Sequence, residues 1–331
     1  MLNFQNYQSV NNIIIPDNII YINNNFSNKF RNLNKLTTLE MPTKDIINAS
    51  YMCYDCQNLS KAPLLGEKCT NMAYAFYNTS LSNSSYYISD SVINASYAYY
   101  NTYSPLSKYS CGNNVEDFSW TYSDVDNSSD EKYVCGPNVI NMCGTYSHTF
   151  LQADAVCGPK VEDMSFAYYN CYYLSNCACG PNVIDMSYAY YNTKLNNKSA
   201  VCGPNVVNMR GAYWNTNVVE AVCGPQVKDM SNAYRSCNNI SNFVCGPNVT
   251  NMSHAYAYLR YTSKKEPVCG PKVEDMSYAY AECSNLIGSA ACGPNVVNMA
   301  YAYQNNSWYN SYLQFSACGP KVDDMSHAYY G

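Results

Sequence analysis

Apolar and polar positions follow one another in a pattern that repeats about every 23 residues along most of the chain. The clearest copy reads ACGPNVIDMSYAYYNT and runs from Ala178 to Thr193. Each regular copy contains a cysteine followed by Gly-Pro or a close variant, and the steps between these cysteines vary from 21 to 26 residues. The cysteines are Cys111, Cys135, Cys157, Cys179, Cys202, Cys223, Cys245, Cys269, Cys292 and Cys318. A repeat of this length predicts a tandem array in which each unit buries its apolar face against its neighbours.

Weaker copies of the same pattern precede the regular ones. They are centred on Asn25, Asn48, Asn71 and Asn94. With them the array has about 14 coils. We therefore predict an α/β repeat solenoid in one domain, residues 19–331, with degenerate coils in 19–110 and regular coils in 111–331. Residues 1–18 are predicted to form an N-terminal cap or docking segment.

Constant positions within the repeat indicate which side chains face the core. With the cysteine of each copy as position 0, position 4 is Val, position 7 is Met, position 10 is mostly Ala and position 11 mostly Tyr. In the clearest copy these are Val183, Met186, Ala189 and Tyr190. Spacings of three and four residues predict one buried side of a short helical or 3₁₀ segment. We expect the methionines to pack in the core rather than to bind a metal.

Position 6 is Asn or Asp in every copy, and it alternates between the two from Asp185 onward. A short acceptor side chain at the start of a helical turn predicts an N-cap, which satisfies free backbone N–H groups. Alternation is expected to separate carboxylates that would otherwise repel between adjacent coils. A catalytic carboxylate pair is the other interpretation, but capping accounts for every copy, and we expect no catalytic residues.

The segment before each Gly-Pro turn is predicted to be a short parallel strand, because proline ends a ladder. In Ala200–Cys202 the strand is apolar on both sides. If the cysteines point inward, the other side forms an exposed apolar stripe of a kind that often marks a partner surface. The alternative is a bend that buries both sides. The stripe would contain Val134, Val156, Val201, Val222, Val244 and Val268.

Composition excludes several function classes. The net charge is −5, 13% of residues are charged, and no basic stripe is present, so nucleic acid is not an expected partner. No window approaches 18 apolar residues, and the first 25 residues lack the features of a signal peptide, so neither membrane insertion nor export is predicted. The 36 tyrosines, with many Asn and Ser residues, suit a binding surface, although an AT-rich codon bias would enrich some of the same residues.

Cysteine and histidine usage points away from disulfide, metal and cofactor chemistry. Most of the 18 cysteines recur at positions 0 and 14, which predicts free thiols that fill narrow slots between coils. The pair Cys53 and Cys56 stands alone, so no zinc site is predicted. The chain has three histidines and lacks nucleotide-binding and nucleophile-elbow motifs. We predict a protein without cofactors and without enzymatic activity.

The recurring run Val-x-Asn/Asp-Met-Ser-Tyr-Ala-Tyr-Tyr-Asn-Cys/Thr resembles the BspA-like leucine-rich repeats. It is clearest in Val161–Cys171 and Val183–Thr193. The resemblance implies a leucine-rich-repeat solenoid used for adhesion or recognition, with no catalytic residue to carry over. Cys-Gly-Pro replaces the Leu- or Ile-rich strand of that family, and Ala replaces Met at position 10. The arrays are also similar to hypothetical proteins of phage origin.

These features lead to three hypotheses about function. The first is a virion component, such as a bacteriophage tail, fibre or decoration protein, that is assembled in the host cytoplasm and binds a host surface or another virion protein. The second is a cell-surface or secreted adhesin. The third is a self-assembling filament subunit, because the last coil is expected to be open and to dock on another chain. The assembly candidates are Cys318, Val322 and Met325.

Ligand contacts are predicted at positions 9 and 12, which vary between coils and carry large side chains. Aromatic side chains there give contact area at a low cost in conformational entropy. The expected partner is a protein or a surface glycan. The candidate residues are Tyr188, Tyr191, Trp214, Arg235, Tyr278, Tyr301 and Trp308.

Overall fold

The chain forms two compact units, Met1–Val161 and Glu162–Gly331. The computed structural model describes residues 7–16, 24–81, 87–102, 111–125, 135–150, 154–172, 174–196, 198–260, 264–306, 312–314 and 319–330. Each unit is a stack of coils joined by parallel backbone pairing. The prediction of a single solenoid from residue 19 onward stays a prediction.

Regular strands are few and short. In the first unit β1, Asn12–Ile14, pairs in parallel with β2, Thr38–Glu40. In the second unit β3, Ile287–Ser289, pairs in parallel with β4, Tyr312–Gln314. No helix occurs among the residues that the structure describes, so the predicted helical or 3₁₀ segment is not observed. Part of the segment predicted as a cap, β1, belongs to the parallel pairing of the first unit.

Parallel bridges at position 6 form the main ladder of each unit. In the first unit they connect Asn25, Asn48, Asn71, Asn94, Asp117 and Asn141 in order. In the second unit they connect Asp163, Asp185, Asn208, Asp229, Asn251, Asp275, Asn298 and Asp324. These positions match the predicted number of coils. The ladder lies after the Gly-Pro turn rather than before it, and pairing ahead of the turn is irregular, as in the bridge between Ser199 and Glu220.

The segment after position 6 is a run of turns. Its backbone N–H groups donate alternately to carbonyls of the same coil and to carbonyls of the next coil. Within the coil, the N–H of Ala189 donates to the carbonyl of Met186 at 3.1 Å. Between coils, the N–H of Tyr188 donates to the carbonyl of Arg210 at 2.8 Å. The N–H groups of Tyr190 and Asn192 likewise donate to carbonyls of the next coil. Every fourth residue has a positive φ, 54° at Tyr188 and 53° at Asn192. A continuous helix cannot form, because alternate N–H groups are committed to the adjacent coil.

The side chain at position 6 caps this run of turns. Asp185 Oδ1 accepts a hydrogen bond from the N–H of Ser187 at 2.7 Å, and the same bond recurs at most copies. Asn208 Nδ2 donates to Asp185 Oδ2 of the preceding coil at 2.9 Å, as alternation of Asp and Asn allows. The predicted capping bond is confirmed, but it stabilises an Asx-type turn rather than a helix.

The predicted core positions are buried. Val183, Met186, Ala189 and Tyr190 are each 0% exposed, and the same holds for most of their counterparts. The buried tyrosines stack from coil to coil with ring centroids 5.5 to 5.7 Å apart in the second unit. A side chain of this size has a polar end that must be satisfied when it is buried.

Buried tyrosine hydroxyls close five coils of the second unit by holding the segment before the Gly-Pro turn. Tyr234 donates to the carbonyl of Val222 at 2.6 Å and accepts the N–H of the same residue at 2.8 Å. The same pair of bonds joins Tyr190 to Ala178. The repeated clamp also joins Tyr213 to Val201, Tyr256 to Val244 and Tyr280 to Val268. A side chain therefore replaces the strand ladder expected in this segment.

The valines predicted to form an apolar stripe belong to this clamped segment. Among the described residues they are neither fully exposed nor fully buried, so neither alternative holds as stated. The half-buried members are Val156, Val201, Val222, Val244 and Val268, whereas Val134 lies outside the described residues.

The cysteines and the following glycine pack coil against coil. A Cβ on Gly203 would lie 2.8 Å from the carbonyl oxygen of Gly180 and 3.0 Å from Cys179 Sγ, so the close approach requires glycine. The N–H of Gly203 donates to Cys179 Sγ at 3.2 Å. All 17 cysteines among the described residues are free thiols. At position 14, Cys237 Sγ donates to the carbonyl of Tyr213, as the hydroxyl of Thr193 does to that of Tyr168.

Replacing Tyr234 with Phe removes both hydrogen bonds to Val222 while keeping the buried ring. We expect the Tyr234→Phe variant to lose roughly 1–3 kcal/mol of unfolding free energy, because two partly buried backbone groups lose their partner. Urea unfolding monitored by circular dichroism measures the change. Tyr301→Phe, at a half-exposed tyrosine, is the matched control and should unfold like the wild type. Equal stability of the two variants would contradict the clamp.

Stability should fall as the pH rises above about 9. Burial raises the pKa of Cys135 and Cys245 from 9.0 to about 12 and that of Cys223 to about 11, and it raises the pKa of Tyr234. Above pH 9 the unfolded chain therefore releases protons that the folded chain retains, and the free energy of unfolding decreases. Urea unfolding in reductant at about pH 7.5 and about pH 10 measures this. A constant midpoint would contradict the burial of these groups.

Candidate functional site

Aromatic side chains at positions 9 and 12 form two adjacent rows on the outside of the turn run. We call these two rows the aromatic face. Positions 10 and 11 point into the core, whereas the aromatic side chains at positions 9 and 12 are half-buried. In the first unit the face comprises Tyr51, Tyr54, Tyr74, Tyr77, Tyr97, Tyr100 and Trp120. The positive φ at position 9 directs its side chain away from the core side of the turn.

Rings at the same position stack on one another from coil to coil. The ring centroids of Tyr51 and Tyr74 lie 4.6 Å apart, and those of Tyr74 and Tyr97 lie 4.5 Å apart. At position 12, Tyr77 lies 4.8 Å from Tyr100. Because parallel pairing spaces neighbouring chains at about 4.8 Å, identical side chains in register come into stacking contact. The backbone ladder thus fixes the rings before any partner binds.

Stacking determines which part of each tyrosine meets solvent. The faces of the interior rings are covered by their neighbours, so contacts with other molecules are left to ring edges and hydroxyl groups. Some hydroxyls are hydrogen-bonded within the face, as that of Tyr169 is to that of Tyr191 and that of Tyr100 to Asp124. Burial, followed by the neighbouring tyrosines, raises the pKa of Tyr74 to about 12. Burial also raises the pKa of Tyr77 and of Tyr97. These hydroxyls are therefore protonated at neutral pH and can both donate and accept hydrogen bonds.

Asparagine side chains at position 13 form a hydrogen-bonded row beside the tyrosines. Asn101 Nδ2 donates to Asn78 Oδ1 at 2.9 Å in the first unit. In the second unit Asn192 Nδ2 donates to Asn170 Oδ1 at 2.8 Å, and Asn215 Nδ2 donates to Asn192 Oδ1 at 2.6 Å. These residues also have positive φ values, which asparagine tolerates well. The row is polar, and Asp55, Asp124 and Glu282 place carboxylates at the same position in three other coils.

Four of the sequence-predicted residues lie together in the second unit. Tyr188 stacks on Phe166 at 5.1 Å, and Tyr191 meets Trp214 in a T-shaped contact at 5.1 Å. The guanidinium of Arg235 lies 4.5 Å from the centroid of a Trp214 ring. The structure therefore joins Tyr188, Tyr191, Trp214 and Arg235 into one cluster.

Tyr278 and Tyr301 form a second cluster with two histidines. Tyr278 lies 4.5 Å from His254 and 4.6 Å from Tyr301, which in turn lies 4.9 Å from His327. Burial, followed by the charge of Arg235, lowers the pKa of His254, although Asp275 opposes this shift. The imidazole is therefore neutral at neutral pH and stacks as an uncharged ring.

The aromatic residues of the first unit were not among the sequence-predicted contacts. The signal was present, because the weaker copies carry regular pairs of aromatic residues three positions apart, such as Tyr74 and Tyr77. Trp308 lies outside the described residues, as does the assembly candidate Cys318. Val322 is half-buried, and Met325 is 48% exposed.

Two further kinds of feature are absent from the described part of the chain. It contains no group of three or more His, Cys, Asp or Glu side chains placed to hold a metal ion. It also contains no helix of the length and apolar character needed to cross a membrane.

A glycine interrupts the aromatic face in each unit. Gly211 has a φ of +61°, and a Cβ there would lie 2.5 Å from the ring of Tyr188. Gly144 has the same φ and lies under the ring of Trp120. In each unit the ring of the preceding coil therefore occupies the space of the missing side chain.

Gly211→Ala should displace the ring of Tyr188 and destabilise the second unit. We expect a loss of about 1 kcal/mol or more, because alanine tolerates the positive φ poorly and its Cβ meets the ring. Thermal unfolding measures the loss, and near-ultraviolet circular dichroism reports the displaced tyrosine. Gly211→Asn separates the two causes, since asparagine tolerates this φ but still contacts the ring. An unchanged spectrum for both variants would contradict the packing of Tyr188 on Gly211.

No family model matches the chain, and no curated protein matches it. Two solved structures are similar to it over most of its length. YopM from Yersinia enterocolitica WA-314 has 11% sequence identity and a TM-score of 0.31, covering 88% of this chain and 80% of its own. A leucine-rich repeat protein from Bacteroides ovatus ATCC 8483 has 10% identity and a TM-score of 0.29, covering 92% of each chain. Likenesses of this degree carry no conclusion, and the solenoid assignment rests on the parallel ladders of the chain itself.

Proposed function

We propose that the chain is a non-enzymatic recognition protein that binds a protein partner through the aromatic face. The observation that carries the proposal is the pair of stacked, half-buried aromatic rows in each unit. Tyrosine supplies large contact area with few rotatable bonds, and Asn and Ser supply adaptable hydrogen bonds. Stacking between coils removes much of the remaining rotamer freedom before binding. Less conformational entropy is then lost in the complex.

A protein partner suits this face better than a surface glycan does. Saccharides commonly pack on exposed aromatic ring faces, but here the interior faces are covered by neighbouring rings. The edges and hydroxyls that remain can hydrogen-bond to backbone and side-chain groups of another protein. A surface glycan remains the alternative partner, to be distinguished by experiment.

Several narrower hypotheses remain proposals. A role as a bacteriophage virion component, a role as a cell-surface or secreted adhesin, and self-assembly into a filament each name a place where such a face could act. Membership of the BspA-like leucine-rich repeats is supported by the Val-x-Asn-Met-Ser-Tyr motif. Absence of enzymatic activity also remains a prediction.

Removal of four hydroxyls tests the aromatic face directly. Protein binders are first selected against the wild-type chain from a display library. Their affinity is then measured for the wild type and for a variant in which Phe replaces four tyrosines, Tyr188, Tyr191, Tyr278 and Tyr301. We expect affinity to fall at least about tenfold, because the rings stay stacked while their outward hydrogen bonds are lost.

The matched control replaces two exposed residues at position 5 of the repeat. Ile184→Ala and Val297→Ala together alter a surface away from positions 9 and 12, and affinity should be unchanged. Equal affinity of the four-Phe variant and the wild type would overturn the proposal. Binding confined to a parallel glycan panel would transfer the assignment to carbohydrate recognition.

A further inference from the structure

Three of the chain's four arginines fall in successive coils of the second unit. They are Arg210, Arg235 and Arg260, at intervals of about one repeat. The whole chain carries a net charge of −5, and charged residues make up 13% of it. A local concentration of guanidinium groups is therefore unusual for this chain.

Arg235 is held between two aromatic rings. Its guanidinium carbon lies 4.5 Å from the centroid of a Trp214 ring and 4.9 Å from that of Tyr258. One donor is used, because Nη1 donates to Asn232 Oδ1 at 3.1 Å. Among the described residues, no carboxylate lies within ion-pair distance of Arg235. The rings fix the plane of the guanidinium and leave its remaining N–H groups at the edge.

Arg260 borders the same space from the next coil. Its Nη2 lies 3.0 Å from Glu282 Oε2, and its backbone N–H donates to Asn238 Oδ1 at 2.8 Å. Glu282 therefore orients this side chain and offsets one of the two positive charges. Both arginines line an open cavity of about 380 Å³. Its lining residues are Trp214, Arg235, Ser236, Asn238, Tyr258 and Arg260.

We propose that this cavity binds a side-chain carboxylate from an acidic segment of the protein partner. The proposal rests on the proposed function and adds the chemistry that selects the partner. A planar carboxylate matches the edge of a stacked guanidinium and can accept two parallel N–H bonds. Trp, Tyr and Arg are also the residue types that dominate binding energy at protein interfaces.

An acidic sugar fits the same cavity less well. Arg235 covers one face of both Trp214 and Tyr258, and Tyr191 packs against Trp214 in a T-shaped contact. These contacts reduce the aromatic face open to a saccharide ring, whereas the N–H groups of Arg235 suit a small planar anion. The observations therefore favour an Asp or Glu side chain over a uronic or sialic acid.

NMR titration of the intact chain tests the proposal. The probe is an acetylated peptide of four aspartates, and the matched probe has four asparagines. Trp214→Phe assigns the indole N–H signal of Trp214 among those of the three tryptophans. We expect the aspartate peptide to shift this signal, and the asparagine peptide to leave it in place. The shift should weaken as salt is added, because exposed charge pairs are screened.

Arginine variants separate a built site from diffuse attraction. Arg235→Gln and Arg260→Gln should each lower the affinity for the aspartate peptide by about tenfold, as expected for loss of a charge-assisted hydrogen bond. Arg210→Gln removes the same charge from an exposed arginine that does not line the cavity, and Arg31→Gln removes an arginine stacked on Tyr54 in the first unit. Both controls should bind like the wild type.

Three outcomes would overturn the proposal. Equal shifts with both peptides would show that charge is not recognised. Equal weakening by Arg210→Gln and Arg235→Gln would show diffuse electrostatic attraction. A shift caused by glucuronate and not by the aspartate peptide would make the cavity a site for acidic sugars. None of these results depends on whether the four-Phe variant loses its binders, so the proposed function is tested separately.

Discussion

Alternate backbone N–H groups donate hydrogen bonds to the next coil, and the rest of the structure depends on these bonds. The N–H groups of Met186, Tyr188, Tyr190 and Asn192 all donate to the following coil at 2.8 to 2.9 Å. The intervening N–H groups can then bond only within tight turns, which require a positive φ at every fourth residue. Those conformations send positions 9 and 12 outward and positions 10 and 11 inward. The aromatic face and the buried core are therefore two results of one hydrogen-bonding scheme.

Tyrosine has two different roles on the two sides of this scheme. At position 11 the ring is buried, and its hydroxyl replaces a strand ladder by bonding to both backbone groups of one residue, as Tyr256 does with Val244. At positions 9 and 12 the ring is half-buried, and its hydroxyl does not hold the segment before the Gly-Pro turn. The adjacent Tyr190 and Tyr191 show that a single step along the chain separates a structural tyrosine from one available to a partner. Composition alone cannot distinguish them.

Much of the fold could be predicted because it repeats. The period, the buried Val183, Met186 and Tyr190, and the capping role of Asp185 follow from comparison of one copy with the next. The predicted helical segment was wrong, because residues three and four apart lie on the same side in this run of turns just as they do in a helix. The ladder between coils does not change the spacing of apolar residues, so the sequence pattern could not reveal it. The strand predicted before Gly-Pro was wrong for a related reason. The backbone groups of this segment bond to a side chain 12 residues later rather than to another strand, as those of Val222 do to Tyr234.

The candidate site was predictable in position but not in geometry. Tyr188, Tyr191, Trp214 and Arg235 were expected at the surface as separate contacts, and the register of the coils brings them together. That register depends on ladder pairing, which no single copy contains. Stacking then covers the ring faces, so the chemistry of the face comes from edges, hydroxyls and the guanidinium of Arg235 rather than from aromatic planes.

Variation in length is confined to the segment before each Cys-Gly-Pro turn, where coil-to-coil pairing is irregular, whereas position 6 is paired in every described coil. Duplication or loss of one whole copy by recombination between repeats would therefore preserve the backbone ladder between adjacent coils. Each added copy would lengthen the aromatic rows by about 4.8 Å and leave their spacing unchanged. The length of the aromatic face can thus evolve by copy number.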